Sequence, residues 1–277
     1  MAMEQELYPR VISENHVVLP KWLYDLIFNE LGAIYHPMNS DMTNIDDNKE
    51  KTLNYLGTYF PRSYAEAFCI FSKFFKENNP SFLQKEELSI FDFGCGTGGE
   101  IMGLLTVLER FWPNLKKVKV VGLDGNKFAI KQLEAIINRY SSFSRISIDC
   151  IPRNIPIDDG FDLSVIDEIT YPEFDIIMSF KAICEFVTKS IFVENAYRVF
   201  LQTFTRKLRD NDSILLIEDI TTRNGTSEEW LPIMLDNALK SVECKIVDRN
   251  NNYNQEYYIT HSRRQNVSKV AWRMLTL

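Results

Sequence analysis

Histidine, paired cysteine, long apolar runs and positive charge are all scarce in this chain of 277 residues. The three histidines, His16, His36 and His261, are too far apart in sequence to form a local metal motif, so no metal is expected. The five cysteines, Cys69, Cys95, Cys150, Cys184 and Cys244, form no C-x-x-C pair. They suggest neither a zinc site nor a disulfide framework and read as reduced, mostly buried thiols. No stretch approaches the roughly 18 apolar residues of a membrane helix, and the first thirty residues lack the basic-then-apolar order of a signal peptide. A cytoplasmic protein with no membrane partner is the expectation. Thirty-one Lys and Arg against 38 Asp and Glu leave a net charge of −7, which disfavours a grip on nucleic acid through the whole surface.

What is present fits an ordinary globular protein: 45% hydrophobic and 25% charged residues, with 19 Phe and 12 Tyr available for core packing. Leu23, Leu26, Ile27 and Leu31, followed by Gly32 and Pro37, predict a helix over about 20–31. The polar run 38–51 reads as a loop. "TLNYLGTYF" and "RSYAEAFCIFSKFFKEN" then read as two helices, with Pro61 opening the second. Residues 1–85 therefore look like a helical cap with little strand signal.

After Pro80 the pattern changes. "ELSIFDFG", "KVKVVGLD", "RISIDCI", "FDIIMSF" and "DSILLIED" are short apolar runs alternating with helical text, including a long stretch from Phe186 to Lys207. Such alternation predicts a doubly wound, parallel α/β sheet over 86–277 with helices on both faces. The tail from Cys244 turns β-rich with turn residues, as antiparallel strands at the edge of the sheet would.

The glycines of "IFDFGCGTGGE", residues 90–100, can be read in two registers. Gly94, Gly96 and Gly99 give the G-x-G-x-x-G of a dinucleotide site; Gly94, Gly96 and Gly98 give G-x-G-x-G. An apolar strand before the turn and a helix after it allow helix N-terminal amides to meet a ligand's negative groups in either case. Asp92 separates the two. A carboxylate beside a pyrophosphate would repel it, whereas a ligand bearing an ammonium group would be attracted. Asp124, ending the next strand in "VVGLDGN" with Gly125 and Asn126 behind it, can accept hydrogen bonds from both hydroxyls of a ribose.

Phe91 to Gly98 closely resembles the first motif of the class I S-adenosylmethionine (SAM) dependent methyltransferases, and residues 90 to about 220 resemble the core of that superfamily. The resemblance implies a Rossmann-like methyltransferase sheet with SAM as cofactor, its methionine portion wrapped by Asp92, Gly94, Cys95, Gly96 and Gly98. An adenine contact is then expected after the third strand, and two pairs compete for it: Asp162 with Leu163, which lies at the more usual distance before the fourth strand, and Asp149 with Cys150. Ser179 and Phe180 fall where cofactor is touched and Lys181 where substrate is, while Asp175 reads as structural. The sequence names no catalytic base outright; Glu185, just after the fourth strand, and His261 are the candidates. The text lacks the Asn-Pro-Pro-Tyr and Pro-Cys signatures of DNA methylation.

A weaker likeness links "YLGTYFPRSYAEAF", "ICEF" and "LLIED" to methyltransferase-like proteins associated with the small ribosomal subunit, although the several cysteines of that family are missing here. Read from the residues alone, Tyr59, Arg62 and Tyr64 lie on a helix entering the core just before the first strand. From there Tyr59 and Arg62 can close over the methionine end, Arg62 pairing with its carboxylate, and Tyr64 can reach substrate. Near the C-terminus His261, Arg263, Arg264, Lys269 and Arg273 form a basic cluster, in which Arg263 and Arg264 could receive an anionic group of a substrate or of RNA. A charged outer face on an edge hairpin is the competing explanation. The expected activity is in-line methyl transfer to N, O or C of a small molecule or peptide. An RNA- or ribosome-directed methyltransferase and a non-catalytic assembly factor that keeps the fold are the alternatives.

Overall fold

A computed structural model describes residues 7–37, 48–78, 80–157, 161–169, 173–188, 195–225, 227–250, 253–262 and 264–277. The chain opens with a hairpin of β1 (Arg10–Ser13) and β2 (His16–Val18), then α1 (Lys21–Tyr24) running into a π-helical turn at Asp25–Glu30, and α2 (Lys49–Glu77). There follow β3 (Glu87–Phe93), α3 (Gly99–Phe111), β4 (Lys117–Asp124), α4 (Lys127–Ser141), β5 (Ser147–Asn154), α5 (Ser164–Ile169) and β6 (Ile176–Phe180). The chain continues with α6 (Ile183–Thr188), α7 (Ala196–Phe204), β7 (Ile214–Ile220), α8 (Leu231–Leu239), β8 (Lys245–Arg249), β9 (Gln255–His261) and β10 (Arg264–Thr276).

The strands form one sheet in the order β1-β2-β9-β10-β7-β6-β3-β4-β5, with β8 also paired to β10. β7, β6, β3, β4 and β5 are mutually parallel, and β10 runs antiparallel to β7. From β3 the chain winds outward through β4 to β5 and returns on the other side of β3 as β6 and β7. This reversal is the topological switch point at which doubly wound sheets form their ligand crevice, beyond the C-terminal ends of the strands.

The central strands read as continuous apolar runs because both faces are covered. On one face α2, α3 and α4 enclose a core with Phe60, Phe68, Phe71, Leu104, Leu108 and Leu133. On the other, α5 to α8 enclose Phe91, Phe93, Phe200, Phe204, Leu231 and Leu235. In α4 the buried residues Ala129, Ile130, Leu133, Ile136, Ile137 and Tyr140 follow helical spacing, and the Asn126 side chain caps the first turn by accepting from the N–H groups of Phe128 and Ala129. No helix among the described residues is long and apolar enough to cross a membrane.

Three elements differ from the sequence reading. The helix over 20–31 is present, but two strands precede it, and β2 pairs in parallel with β9, so the N-terminal segment extends the sheet beyond the C-terminal strands. Strands of four and three residues are too short to show alternation, and every residue of β1 is exposed. Second, α2 is one helix of 29 residues with Pro61 inside it. An internal proline costs about 3 kcal/mol. Phe60, Tyr64, Phe68, Phe71 and Phe74 are all buried along the same helix, and each contributes about 1.5–3 kcal/mol, so burial outweighs the defect. Third, the long helix expected from Phe186 to Lys207 is divided into α6 and α7, with 189–194 outside the described residues.

Candidate functional site

The crevice at the switch point is a cleft open to solvent. Phe93 and Gly94 at the end of β3 and Leu123, Asp124 and Gly125 at the end of β4 form one side. Ile155, Pro156 and Ile157 after β5, with Lys181, Ala182, Glu185 and Phe186 after β6, form another, and Tyr55 of α2 reaches in from above. This mix of apolar walls with a few polar groups suits a small-molecule or cofactor site.

The turn after β3 resolves the two glycine registers. Gly94, Gly96 and Gly98 have φ of +71°, +47° and +84°, a region that side-chain-bearing residues rarely enter, whereas Gly99 does not. Gly99 is instead the first residue of α3, where an added Cβ would lie 2.5 Å from the carbonyl oxygen of Phe60. Its small size lets α2 and α3 approach. A Cβ on Gly94 would meet Ala182 Cβ at 2.2 Å, so the turn also sits directly against the segment after β6.

Asp124 is held from below. Its Oδ2 accepts from the Gly96 N–H at 2.9 Å and its Oδ1 from the Asn126 N–H at 2.7 Å. Burial pushes its carboxyl up to about 6 despite those two donors. Asp92 is fully buried just before the turn, and among the described residues no backbone N–H and no basic side chain donates to it; its neighbour is the Glu100 carboxyl. Burial raises its carboxyl well above the ordinary range; contact with the Glu100 carboxyl of α3 works against this, and the charge of Asp124 adds to it. Glu100 is itself raised, by burial and by the charge of Asp92. Asp92 and Glu100 are thus a buried acidic pair beside the turn, with no Lys or Arg bonded to Asp92 among the described residues.

Several expected residues meet here. Gly94, Asp124, Gly125, Lys181 and Glu185 line the cleft, while Asp92, Cys95, Gly96 and Gly98 belong to the end of β3 and the turn beside it without lining the cleft. Lys181 has φ +53° and its Nζ is ion-paired with Glu66. Tyr59 stacks on Tyr55 at 4.8 Å, and Arg62 lies over the Tyr59 ring while bonding Asn266 Oδ1 at 2.9 Å.

Others are used elsewhere. The Asn126 side chain is occupied as the α4 cap and donates to Thr52 Oγ1 at 3.0 Å. Ser179 and Phe180 are buried within β6, short of the cleft. Tyr64 is buried between α2 and α3 with its hydroxyl toward Thr106, because it falls on the core face of α2. Asp162 is exposed and accepts from the Ser164 N–H at 2.8 Å, Leu163 is core, and neither they nor Asp149 and Cys150 of β5 line the cleft. The apolar tripeptide Ile155–Ile157 takes the position after the third parallel strand.

The C-terminal cations form no patch among the described residues. His261 is buried, stacked on Phe28 at 5.1 Å and edge-on to Tyr35, and burial with the Arg264 charge lowers its imidazole to about 4. Arg264 lies over Tyr35, Lys269 pairs with Glu256, and Arg273 is buried against Asp236 and Asn250. Arg263 lies outside the described residues. Sequence proximity misled here because the positions fall on different faces of the β9–β10 hairpin.

Neither a family model nor a curated protein matches the chain. Solved structures do. One is the magnesium protoporphyrin IX methyltransferase of Synechocystis PCC 6803 with bound SAM, at 9% identity and TM-score 0.48 over 96% of this chain and 98% of that one. Another is the cyclopropane synthase MmaA2 of Mycobacterium tuberculosis, at 14% and 0.43 over 84% and 73%. A third is a candidate RNA methyltransferase of Pyrococcus horikoshii, at 12% and 0.45 over 78% and 84%. Its strand order, its antiparallel strand beside β7 and its glycine turn at the switch point define this chain's architecture. It has a Rossmann-like, doubly wound α/β fold. Identities of 9–14% leave the activity of that fold to be argued from the cleft itself.

Proposed function

We propose that the cleft binds SAM and that the protein transfers its methyl group to an N, O or C acceptor on a small molecule or peptide. The observation that carries this reading is the buried Asp92 carboxyl, which has the Glu100 carboxyl beside it and no Lys or Arg bonded to it among the described residues, two positions before the first of three left-handed glycines. A buried carboxylate is costly unless a positive group pairs with it, and the ammonium of a methionine moiety is such a group. The residues fit the cofactor in the remaining respects. Asp124 would hold the ribose hydroxyls, the start of α3 at Gly98, which has no side-chain cap, would face the carboxylate, and Ile155, Pro156, Ile157 and Phe186 would cover the adenine.

SAM supplies an already activated methyl, so the protein's share of the chemistry is alignment and exclusion of water. Tyr55 and Glu185 would orient the acceptor at the open side, whereas the Lys181 ammonium is taken by the buried Glu66. Glu185 is the candidate to take a proton from an acceptor that must lose one; buried His261, ringed by aromatics, is not. Dispersal of the C-terminal cations, with the net charge of −7, favours a small or peptide acceptor over RNA.

Amide resonances of the ¹⁵N-labelled protein test the placement. Addition of SAM should shift Gly94, Gly96, Gly98 and Gly125; shifts confined to other regions would refute it.

A further inference from the structure

Behind Lys181, on the sheet face covered by α2, lie Glu66 and Glu218, which are 0% and 1% exposed. Lys181 Nζ is ion-paired with Glu66 Oε2, and the Lys181 N–H donates to the Glu218 carbonyl oxygen at 2.9 Å. Oε1 of Glu66 and both carboxyl oxygens of Glu218 have no donor. The neighbouring Asp219 shows the contrast: it accepts from the N–H groups of Cys184 and Ile220 and from the Tyr197 hydroxyl. Asp219 is a fully bonded structural carboxylate, whereas Glu218 is left bare beside a cation that is already paired.

One ammonium cannot balance two carboxylates in a dry interior, where an unpaired charge costs several kcal/mol. Burial and the charge of Glu66 push the Glu218 carboxyl well above its ordinary range. Burial opposes the charge on Lys181, but Glu66 and Glu218 outweigh it and keep the ammonium. Among the described residues the other charged groups facing this cluster are Arg62 on α2, Glu100 on α3 and Asp219 on β7; Cys69 on α2, Cys184 on α6, Tyr197 on α7 and Tyr257 on β9 are its uncharged titratable neighbours. Two buried carboxylates thus share one ammonium, and the group opens to the cleft through Lys181, whose left-handed backbone is itself a strained conformation of the kind found at functional sites.

We propose that Glu66, Lys181 and Glu218 form a proton-exchanging charge sensor, which releases a proton when a sulfonium-bearing ligand enters the cleft and keeps it when the uncharged thioether product enters. The sensor sets the preference of the site for SAM over S-adenosylhomocysteine. This inference rests on the cleft being the SAM site. The two ligands share ammonium, carboxylate, ribose and adenine, so comparing them cancels the responses of Asp92, Glu100 and Asp124 to those groups and isolates the response to one positive charge.

Calorimetric titration of the full chain with each ligand, near pH 7 in phosphate and in Tris, reads the protons released. SAM should release about half a proton or more beyond S-adenosylhomocysteine, and the ratio of the two affinities should move toward SAM as pH rises from about 6 to 8. In Glu218→Gln both differences should fall by at least half while SAM still binds. If that variant does not fold, Glu66→Gln and the wild-type pH series give the same answer. Bound SAM with equal proton release for both ligands and a flat affinity ratio would overturn the sensor alone; no SAM binding at all would overturn the cofactor reading and the sensor with it.

Discussion

Gly96 donates its backbone N–H to Asp124 Oδ2 at 2.9 Å, joining the glycine turn after β3 to the carboxylate that ends β4. With the Asn126 N–H on Oδ1, the carboxylate is fixed before any ligand arrives, and its remaining lone pairs face the cleft. Turn and carboxylate act as one preorganised unit, so changes to either should be felt at the other.

Asp124→Ala should weaken SAM binding by about 1–3 kcal/mol, the range for losing hydrogen bonds to a charged group. Equilibrium titration measures it, and unchanged affinity would remove Asp124 from the site.

The raised carboxyl of Asp124, at about 6, gives a pH signature. Ribose hydroxyls need the ionised form as acceptor, so SAM affinity should rise as pH passes upward through about 6. Stability should move the other way: a carboxyl protonated more readily in the fold than in the unfolded chain adds stability at low pH, lost as pH rises from about 4 to 6. Both slopes should flatten in Asp124→Asn, monitored by binding and by urea midpoints.

Gly94→Ala combines a strained φ with a 2.2 Å contact to Ala182 Cβ. A loss of about 1–3 kcal/mol in stability and of SAM binding is expected. Adding Ala182→Gly should restore part of the stability by removing the clash, leaving the backbone strain. No gain from the second change would show that the two segments are not in contact.

His261, lowered to about 4 by burial, must be neutral in the fold. Its contribution to stability is present above its unfolded value near 6.5 and is lost as pH falls toward 4. His261→Phe keeps the ring stack with Phe28 and should remove this part of the acid sensitivity. An unaltered pH dependence of the urea midpoint would contradict the burial of a neutral ring.

The sheet was legible because β3, β4, β6 and β7, covered on both faces over most of their length, are written as short runs rich in apolar residues, and the glycine turn because Gly94, Gly96 and Gly98 have left-handed backbones that few other residues tolerate. Glu66 and Glu218 were not. Glu66 stands in "SYAEAF" on an apolar helix face and Glu218 in a core strand, and a single acidic letter does not say whether it bends to solvent or is buried. Tyr55 lies on the same long helix as the expected Tyr59 and Arg62 but one turn earlier, and that turn, not theirs, meets the cleft. The dispersal of the basic tail was hidden because Lys269 and Arg273, four residues apart on one face of β10, differ in what covers them: Lys269 is exposed and paired with Glu256, whereas Arg273 is buried against Asp236 of α8.

Calorimetry of the folded wild-type chain with SAM tests the central claim most directly. One molecule bound per chain is expected, with affinity lost in Gly94→Ala; no heat of binding from a protein shown to be folded would contradict the assignment of this cleft to SAM.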